Sequence, residues 1–261
     1  MDFGLKDKVA LVLGGGGGLG SAIATTLAAE GVRVAVADIN DDALKQVATD
    51  LDSLSRQFIT LNWDLDDLSC IGSNIDTIEN DLGSVDILVN ITGGPPPTPA
   101  AGQDPELWLK QFRSMILSVI AITDRVLPSM RANGWGRIIT STSSGVLEPI
   151  PNLGLSNTLR SSLVTWSKTL AGEVGSDGVT TNIVVPGRID TGRIRFLDQA
   201  KAAREVRSVE DVMQTSTKAI PLRRYGRPQE YADTVAFLAS CRASYITGSV
   251  IRVDGGMLAS I

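Results

Sequence analysis

The chain has 261 residues, 43% hydrophobic and 20% charged, enough for one large α/β domain and wrong for a disordered polymer. Its 24 Lys and Arg stand against 29 Asp and Glu, and this net charge of −5 gives no footprint for nucleic acid. Histidine is absent, which excludes His-based catalysis and His-containing metal sites, and Cys70 and Cys241 have no metal-ligand spacing, so no metal is expected.

The predicted elements alternate between short apolar runs and longer helical patterns. Val9–Leu13 (VALVL) is a strand, followed by glycines and a helix to about Glu30. Val32–Ala37 is a second strand, with a helix from about Asp41, and Phe58–Trp63 is a third, with a helix over Leu65–Leu82. Val85–Ile91, Gly136–Ser141, Thr180–Val185 and Gly248–Val253 complete the strands. Helices over Leu107–Asn133 and Leu155–Gly175 lie among them. Strands apolar almost throughout are buried on both faces, as in a parallel sheet between helices. The order predicts a single doubly wound, Rossmann-like α/β domain over residues 1–261, its mostly parallel sheet flanked by helices on both faces. In such a fold, the loops after strands lie where ligands bind. Gly93–Gly102, Ser143–Leu155 and Pro186–Lys201 read as irregular loops on that edge.

The glycine run that follows the first strand carries the clearest chemistry. Gly14, Gly18 and Gly20 fit G-x-x-x-G-x-G, while Gly15, Gly17 and Gly20 fit G-x-G-x-x-G. Glycines let a pyrophosphate approach the backbone, and the helix behind them offers free N–H groups. Asp38 ends the second strand, 18 residues beyond Gly20. A carboxylate there hydrogen-bonds ribose hydroxyls and repels a 2′-phosphate, which favours NAD over NADP. The competing role for Asp38 is a cap on the next helix.

Taken together, these segments resemble the classical short-chain dehydrogenase/reductase family over essentially the whole chain. Gly14, Gly18 and Gly20 match its cofactor motif, with Leu19 inside it, and "WDL" puts Asp64 at the acid near the adenine ring. "ILVNITG" resembles the family's fourth-strand motif, with Asn90 as its retained asparagine, and "GRIITSTSS" matches the strand that leads to the catalytic serine. "NIVVPGRIDT" resembles the stretch that contacts the nicotinamide, which implies that role for Pro186, Gly187 and Ile189. The C-terminal "PLRRYGRPQEYADTVAFLAS" and "YITGSVIRVDGG" also match.

The departures from the pattern are concentrated in the proton relay. Leu13 replaces a threonine that braces the glycine turn, and Met115 falls where the relay asparagine is expected. Aligning "TWSKTLAGE" places Ser156 at the family's tyrosine and Arg160 at its lysine, with Ser143 as the catalytic serine thirteen residues earlier. A phenol has a pKa near ~10 and one adjacent cation moves it towards neutrality, whereas an aliphatic hydroxyl is a much weaker acid. Ser156 is therefore a poor replacement for tyrosine. Arg160 keeps a charge and several donors for ribose hydroxyls or a substrate carboxylate. The i, i+4 spacing puts both on one helix face. The other reading makes Ser156 a helix N-cap and leaves Arg160 on a solvated face. Glu148 and Asp190 are alternative proton carriers in the loops.

The resemblance implies an NAD-dependent oxidoreductase of a carbonyl/alcohol pair, with a 3-oxoacyl or sugar-like small-molecule substrate. Non-redox lyase or isomerase chemistry and a non-catalytic NAD-binding role stay open at this point. The resemblance also implies a homotetramer, with apolar residues Leu107, Leu109, Phe112, Met115 and Ile116 on one helix and Leu159, Leu163, Trp166 and Leu170 on the other facing symmetry mates. The sequence has neither a signal-peptide run nor the roughly 20 apolar residues of a membrane span, so no membrane partner and a cytoplasmic location are expected.

Overall fold

Seven parallel strands form the sheet, in the order β3-β2-β1-β4-β5-β6-β7. The computed structural model describes residues 2–54 and 56–260. The first half runs β1 (Val9–Leu13), α1 (Gly18–Ala29), β2 (Arg33–Asp38), α2 (Asp41–Asp52), β3 (Phe58–Asn62), α3 (Ile71–Asp81) and β4 (Ile87–Asn90). The second half runs α4 (Pro105–Phe112), α5 (Ser118–Ala132), β5 (Gly136–Ser141), α6 (Gly154–Val174), β6 (Val179–Pro186), α7 (Gly192–Glu205), α8 (Val209–Ala219), α9 (Pro228–Ala239) and β7 (Val250–Val253). The chain winds from β1 outward to β3, then returns to the other side of β1 with β4. This reversal opens a crevice between the carboxyl ends of β1 and β4, the place where doubly wound sheets hold ligands.

Every residue of β1, β4 and β5 is buried. Alternate side chains feed two cores. One lies under α1, α2 and α9 and contains Val12, Val36, Ile23, Leu44 and Tyr231. The other lies under α3, α5 and α6 and contains Leu11, Leu88, Ile75, Ile122 and Val174. Such two-sided burial is why these strands read as unbroken apolar runs.

Three expectations need correction. The helix predicted over Leu65–Leu82 begins later, with a 3₁₀ turn at Leu68–Cys70 and α3 from Ile71. The carboxylates of Asp64 and Asp67 bind the amides of Asp66 and Ser69, and these turns delay the helix. Pro186–Lys201 is not an irregular loop throughout, because Thr191 caps α7 through the amide of Ile194. The apolar faces expected to meet symmetry mates are largely covered within the chain. Met115, Ile116, Leu159 and Leu163 pack on each other, and Leu170 lies in the sheet core. Leu109 and Phe112 of that set stay exposed. The long helix over Leu107–Asn133 is one continuous rod in three parts, with a π-helical stretch at Arg113–Leu117 between α4 and α5.

Candidate active site

The glycine turn closes the crevice from the β1 side. Gly14 has φ 61°, and a Cβ on it would lie 2.5 Å from the Ile91 carbonyl. A Cβ on Gly20 would lie 2.2 Å from the Gly14 carbonyl. Both positions admit only glycine. Leu13 is wholly buried in the core and takes no part in the turn. The turn is held instead by Gly17 donating to the Gly14 carbonyl (3.1 Å) and Gly15 donating to Ala37 (2.9 Å). The amides of Gly18, Leu19 and Gly20 open α1, and its first turn carries no acid. Helix-start amides have no intrahelical acceptor, so they face the crevice as anion donors.

Asp38 stands at the end of β2, against this turn. One carboxylate oxygen accepts from the Gly16 amide at 3.0 Å, and the other from the Asn40 amide at 3.0 Å. The cap of α2 is Asn40, not Asp38, so the competing role is ruled out. Asp64 is exposed beyond β3. Asn90 is completely buried and donates to Thr140 Oγ1 at 3.1 Å. Its Oδ1 has no partner, and neither has Thr92 Oγ1 beside it. Buried acceptors without partners next to a glycine cradle fit a polar group that completes them.

The opposite wall belongs to α6. Gly154, its first residue, donates to the Thr98 carbonyl at 2.9 Å, so the Gly93–Gly102 loop lies over the start of this helix. The N-cap is Leu153, not Ser156, and Ser156 is 6% exposed. Arg160 is 7% exposed, one turn further on the same face, which excludes the solvated position. Its Nη2 donates to the carbonyls of Thr92 (3.2 Å) and Gly93 (2.8 Å). Ser143 follows β5 and accepts from the Gly145 amide at 3.1 Å, capping a short 3₁₀ turn at Ser144–Val146. Met115 lies in the π-helical stretch within an apolar cluster and offers no relay group.

The nicotinamide-side residues differ among themselves. Pro186 ends β6; Gly187 gives its amide to Val253 (2.9 Å); Ile189 is buried in the core beneath α1 and α9. Two residues missed in the sequence belong to this region. Arg193 in the first turn of α7 donates Nη2 to the Pro95 carbonyl at 2.9 Å and so spans the crevice from the β6 side to the β4 loop. Its signal was position, two residues after Thr191 in the stretch matched to nicotinamide contact. Tyr231, far along the chain from Ser156, sits beneath β5 and donates to Ser141 Oγ at 2.7 Å.

Electrostatics separate these groups. Burial, with a smaller contribution from the charge of Arg193, pulls the Arg160 guanidinium down to about 10, still a cation at neutral pH. Burial holds the Tyr231 phenol above its ordinary value. Burial and its bond to Asp198 do the same for Tyr225, whose hydroxyl donates to Asp198 at 2.8 Å. Tyr245 is fully exposed. No phenol among the described residues therefore replaces the one expected at position 156. Glu148 is exposed, and Asp190, also exposed, pairs with Arg195 at 3.1 Å. Among the described residues no group of acids and cysteines is set to hold a metal ion.

A parallel, doubly wound sheet with a glycine turn at its switch point defines a Rossmann-type α/β protein. The model of the enoyl-(acyl carrier protein) reductase family matches residues 15–258. The 3-oxoacyl-[acyl-carrier-protein] reductase FabG of Escherichia coli (strain K12) is 35% identical over 254 residues, 97% of this chain and 98% of that protein. The crystal structure of L-sorbose reductase from Gluconobacter frateurii, complexed with NADPH and L-sorbose, aligns with TM-score 0.93 and 28% identity over the full length of both chains. The structure of YwfH, an NADPH-dependent reductase of bacilysin biosynthesis, aligns with TM-score 0.92 and 28% identity, covering 97% and 99% of the two chains. The chain belongs to the classical short-chain dehydrogenase/reductase family. It is an oxidoreductase of the family's kind, one that interconverts a carbonyl and an alcohol.

Proposed function

We propose that the protein is a single-domain, NAD-dependent dehydrogenase/reductase with a serine and an arginine in place of the family's Tyr-x-x-x-Lys pair. The observation that carries the cofactor choice is Asp38, fixed by the Gly16 and Asn40 amides at the end of β2. It retains acceptor sites for two ribose hydroxyls and would face a 2′-phosphate with like charge. The similar sorbose reductase and YwfH are described with NADPH, so the preference rests on this carboxylate and not on likeness.

The Gly18, Leu19 and Gly20 amides, with the Gly14 turn, hold the pyrophosphate, and Asp64 lies at the adenine end. Asn90, Pro186, Gly187 and Ile189 line the nicotinamide end. The nicotinamide ring, when bound, supplies or accepts the hydride. Ser143 positions the substrate oxygen. Arg160 keeps a positive charge at the ribose and substrate oxygens, with Nε and Nη1 free of the carbonyls that occupy Nη2. Ser156 serves as a neutral hydroxyl beside it, and water is the proton source. The similar FabG is named for a 3-oxoacyl substrate and the similar sorbose reductase for a sugar, which supports a small carbonyl compound as substrate here.

Among the described residues no helix is long and apolar enough to cross a membrane. Unpaired Cys70 and Cys241 suit the reducing cytoplasm. A homotetramer fits the apolar residues left on the long helix, Leu109 (60% exposed), Phe112 (42%) and Leu117 (37%). The test of the function is calorimetric titration with NADH and NADPH, followed by dinucleotide oxidation over a ketone panel. Tighter binding of NADH with turnover of a ketone supports the reading. Equal binding of the two dinucleotides removes the role of Asp38.

A further inference from the structure

Two arginines meet at the β4 loop, and no carboxylate neutralises them. Arg160 reaches it from α6 and Arg193 from α7. A Cβ placed on Gly94 would lie 3.0 Å from Arg193 Nη2 and 3.6 Å from Arg160 Nη2, so the two guanidiniums flank one residue. Their hydrogen-bond partners are neutral carbonyls, of Thr92 and Gly93 for Arg160 and of Pro95 for Arg193, and the Arg193 guanidinium also lies 5.5 Å from the centroid of the Phe196 ring. Among the described residues neither makes a salt bridge. Desolvation lowers the pKa of Arg193 even though the residue as a whole is exposed, because its head lies in the crevice. Two like charges, one of them almost wholly buried, are costly side by side unless an anion completes them.

The position of the pair identifies which anion. The glycine turn touches the β4 loop at Ile91 and the β6 loop near Thr191. The arginines act further along both loops, at Gly93 to Pro95 and at Arg193. This is the side of the crevice that carries Ser156, not the side of Asp38. The dinucleotide phosphates already have the amides of Gly18, Leu19 and Gly20. The arginine forks retain unused donors, Nε and Nη1 on each, and a planar fork matches a carboxylate.

We propose that Arg160 and Arg193 together bind a carboxylate carried by the carbonyl substrate, which makes the natural substrates oxo acids or the matching hydroxy acids. This rests on the redox reading above and narrows its substrate class. Neutral ketones, esters and free sugars lack the group the pair is built for.

The test compares 2-oxobutyrate, acetoacetate and levulinate, each against its ethyl ester, as substrates with NADH. The three place the carbonyl at different distances from the carboxylate. For at least one pair, kcat/KM for the acid exceeds that for the ester by roughly 10- to 100-fold, as the loss of a charge-assisted hydrogen bond implies. Arg193→Gln brings the ratio towards one, mainly through KM, and Arg193→Lys restores part of it. Calorimetry of the same acids with the NAD⁺-loaded protein needs no turnover. Acid binding that disappears in Arg193→Gln, without reduction of any compound, supports the anion site and overturns the redox reading. Esters reduced as well as acids overturn the anion site and leave the redox reading standing. NADH affinity lost in Arg193→Gln with an unchanged acid-to-ester ratio assigns the arginines to the cofactor phosphates and overturns the proposal. Failure of every acid to bind overturns it too. If circular dichroism shows Arg193→Gln unfolded, Arg193→Lys carries the comparison, because it keeps the stem and charge and loses the fork.

Discussion

Replacing Asp38 with alanine separates its two effects, on the cofactor and on the glycine turn. In the protein its carboxylate accepts the Gly16 and Asn40 amides, each at 3.0 Å. A 2′-phosphate about 5 Å away would meet it with about 3 kcal/mol of repulsion per unit charge at an effective dielectric of about 20, and under ~1 in water. For a half-exposed site an intermediate of about 2 kcal/mol is reasonable, and the 2′-hydroxyl held by the carboxylate, which NADPH lacks, adds about 1.5–3 kcal/mol for NADH. The unmutated protein therefore prefers NADH by roughly 300- to 5,000-fold. Asp38→Ala weakens NADH by roughly 10- to 100-fold, strengthens NADPH, and narrows the preference below about tenfold. The freed Gly16 and Asn40 amides are near water, so stability falls by only about 1–2 kcal/mol. Titration calorimetry gives the first quantity and urea unfolding the second. NADPH bound as tightly as NADH by the unmutated protein, or both weakened equally by Asp38→Ala, would refute the reasoning.

Restoring Ser156→Tyr together with Arg160→Lys supplies a phenol beside an ammonium, and reduction of a neutral ketone should rise by roughly 10²- to 10⁴-fold. A rate that stays unchanged counts against a lost proton donor as the limitation. Asp198 is 1% exposed and holds both Arg188 and the Tyr225 hydroxyl, tying α7 to the loop before α9. Asp198→Ala should cost about 2–4 kcal/mol in urea unfolding, discounted because Arg188 is partly exposed, and a loss below about 1 kcal/mol would reject that network. Light scattering at micromolar concentration should give a tetramer that Phe112→Glu dissociates, and a monomer would reject the assembly.

The sheet and the cofactor crevice were legible because their determinants are local. Val9–Leu13 is apolar at every position since both of its faces are covered, and Gly14 to Gly20 and Asp38 follow one another along the chain. Ser156 and Arg160 were placed by aligning "TWSKTLAGE" with the family pattern, and helix geometry then brings them to one face. What local pattern does not carry is the identity of the neighbour. The apolar stripe of Met115 and Ile116 shows that something covers it, and the structure supplies Leu159 and Leu163 of the same chain in place of a symmetry mate. Arg193 and Tyr231 were missed for the same reason. Each reaches the site from an element distant in sequence, Arg193 by spanning to Pro95 and Tyr231 by lying beneath β5. The α7 helix was hidden by its polar composition, although Thr191 caps it.

Deuterium transfer from [4-²H]NADH most directly tests carbonyl reduction in a crevice without the tyrosine. Protein, labelled NADH of both C4 configurations and the six oxo compounds are incubated, and the products are read by mass spectrometry. The hydride pair goes to the carbonyl carbon, the oxygen takes a proton from water, and NADH becomes NAD⁺. The expected result is one deuterium on the new alcohol carbon from one configuration only, in a carboxylate-bearing product. Bound dinucleotide with no deuterium in any product would contradict it.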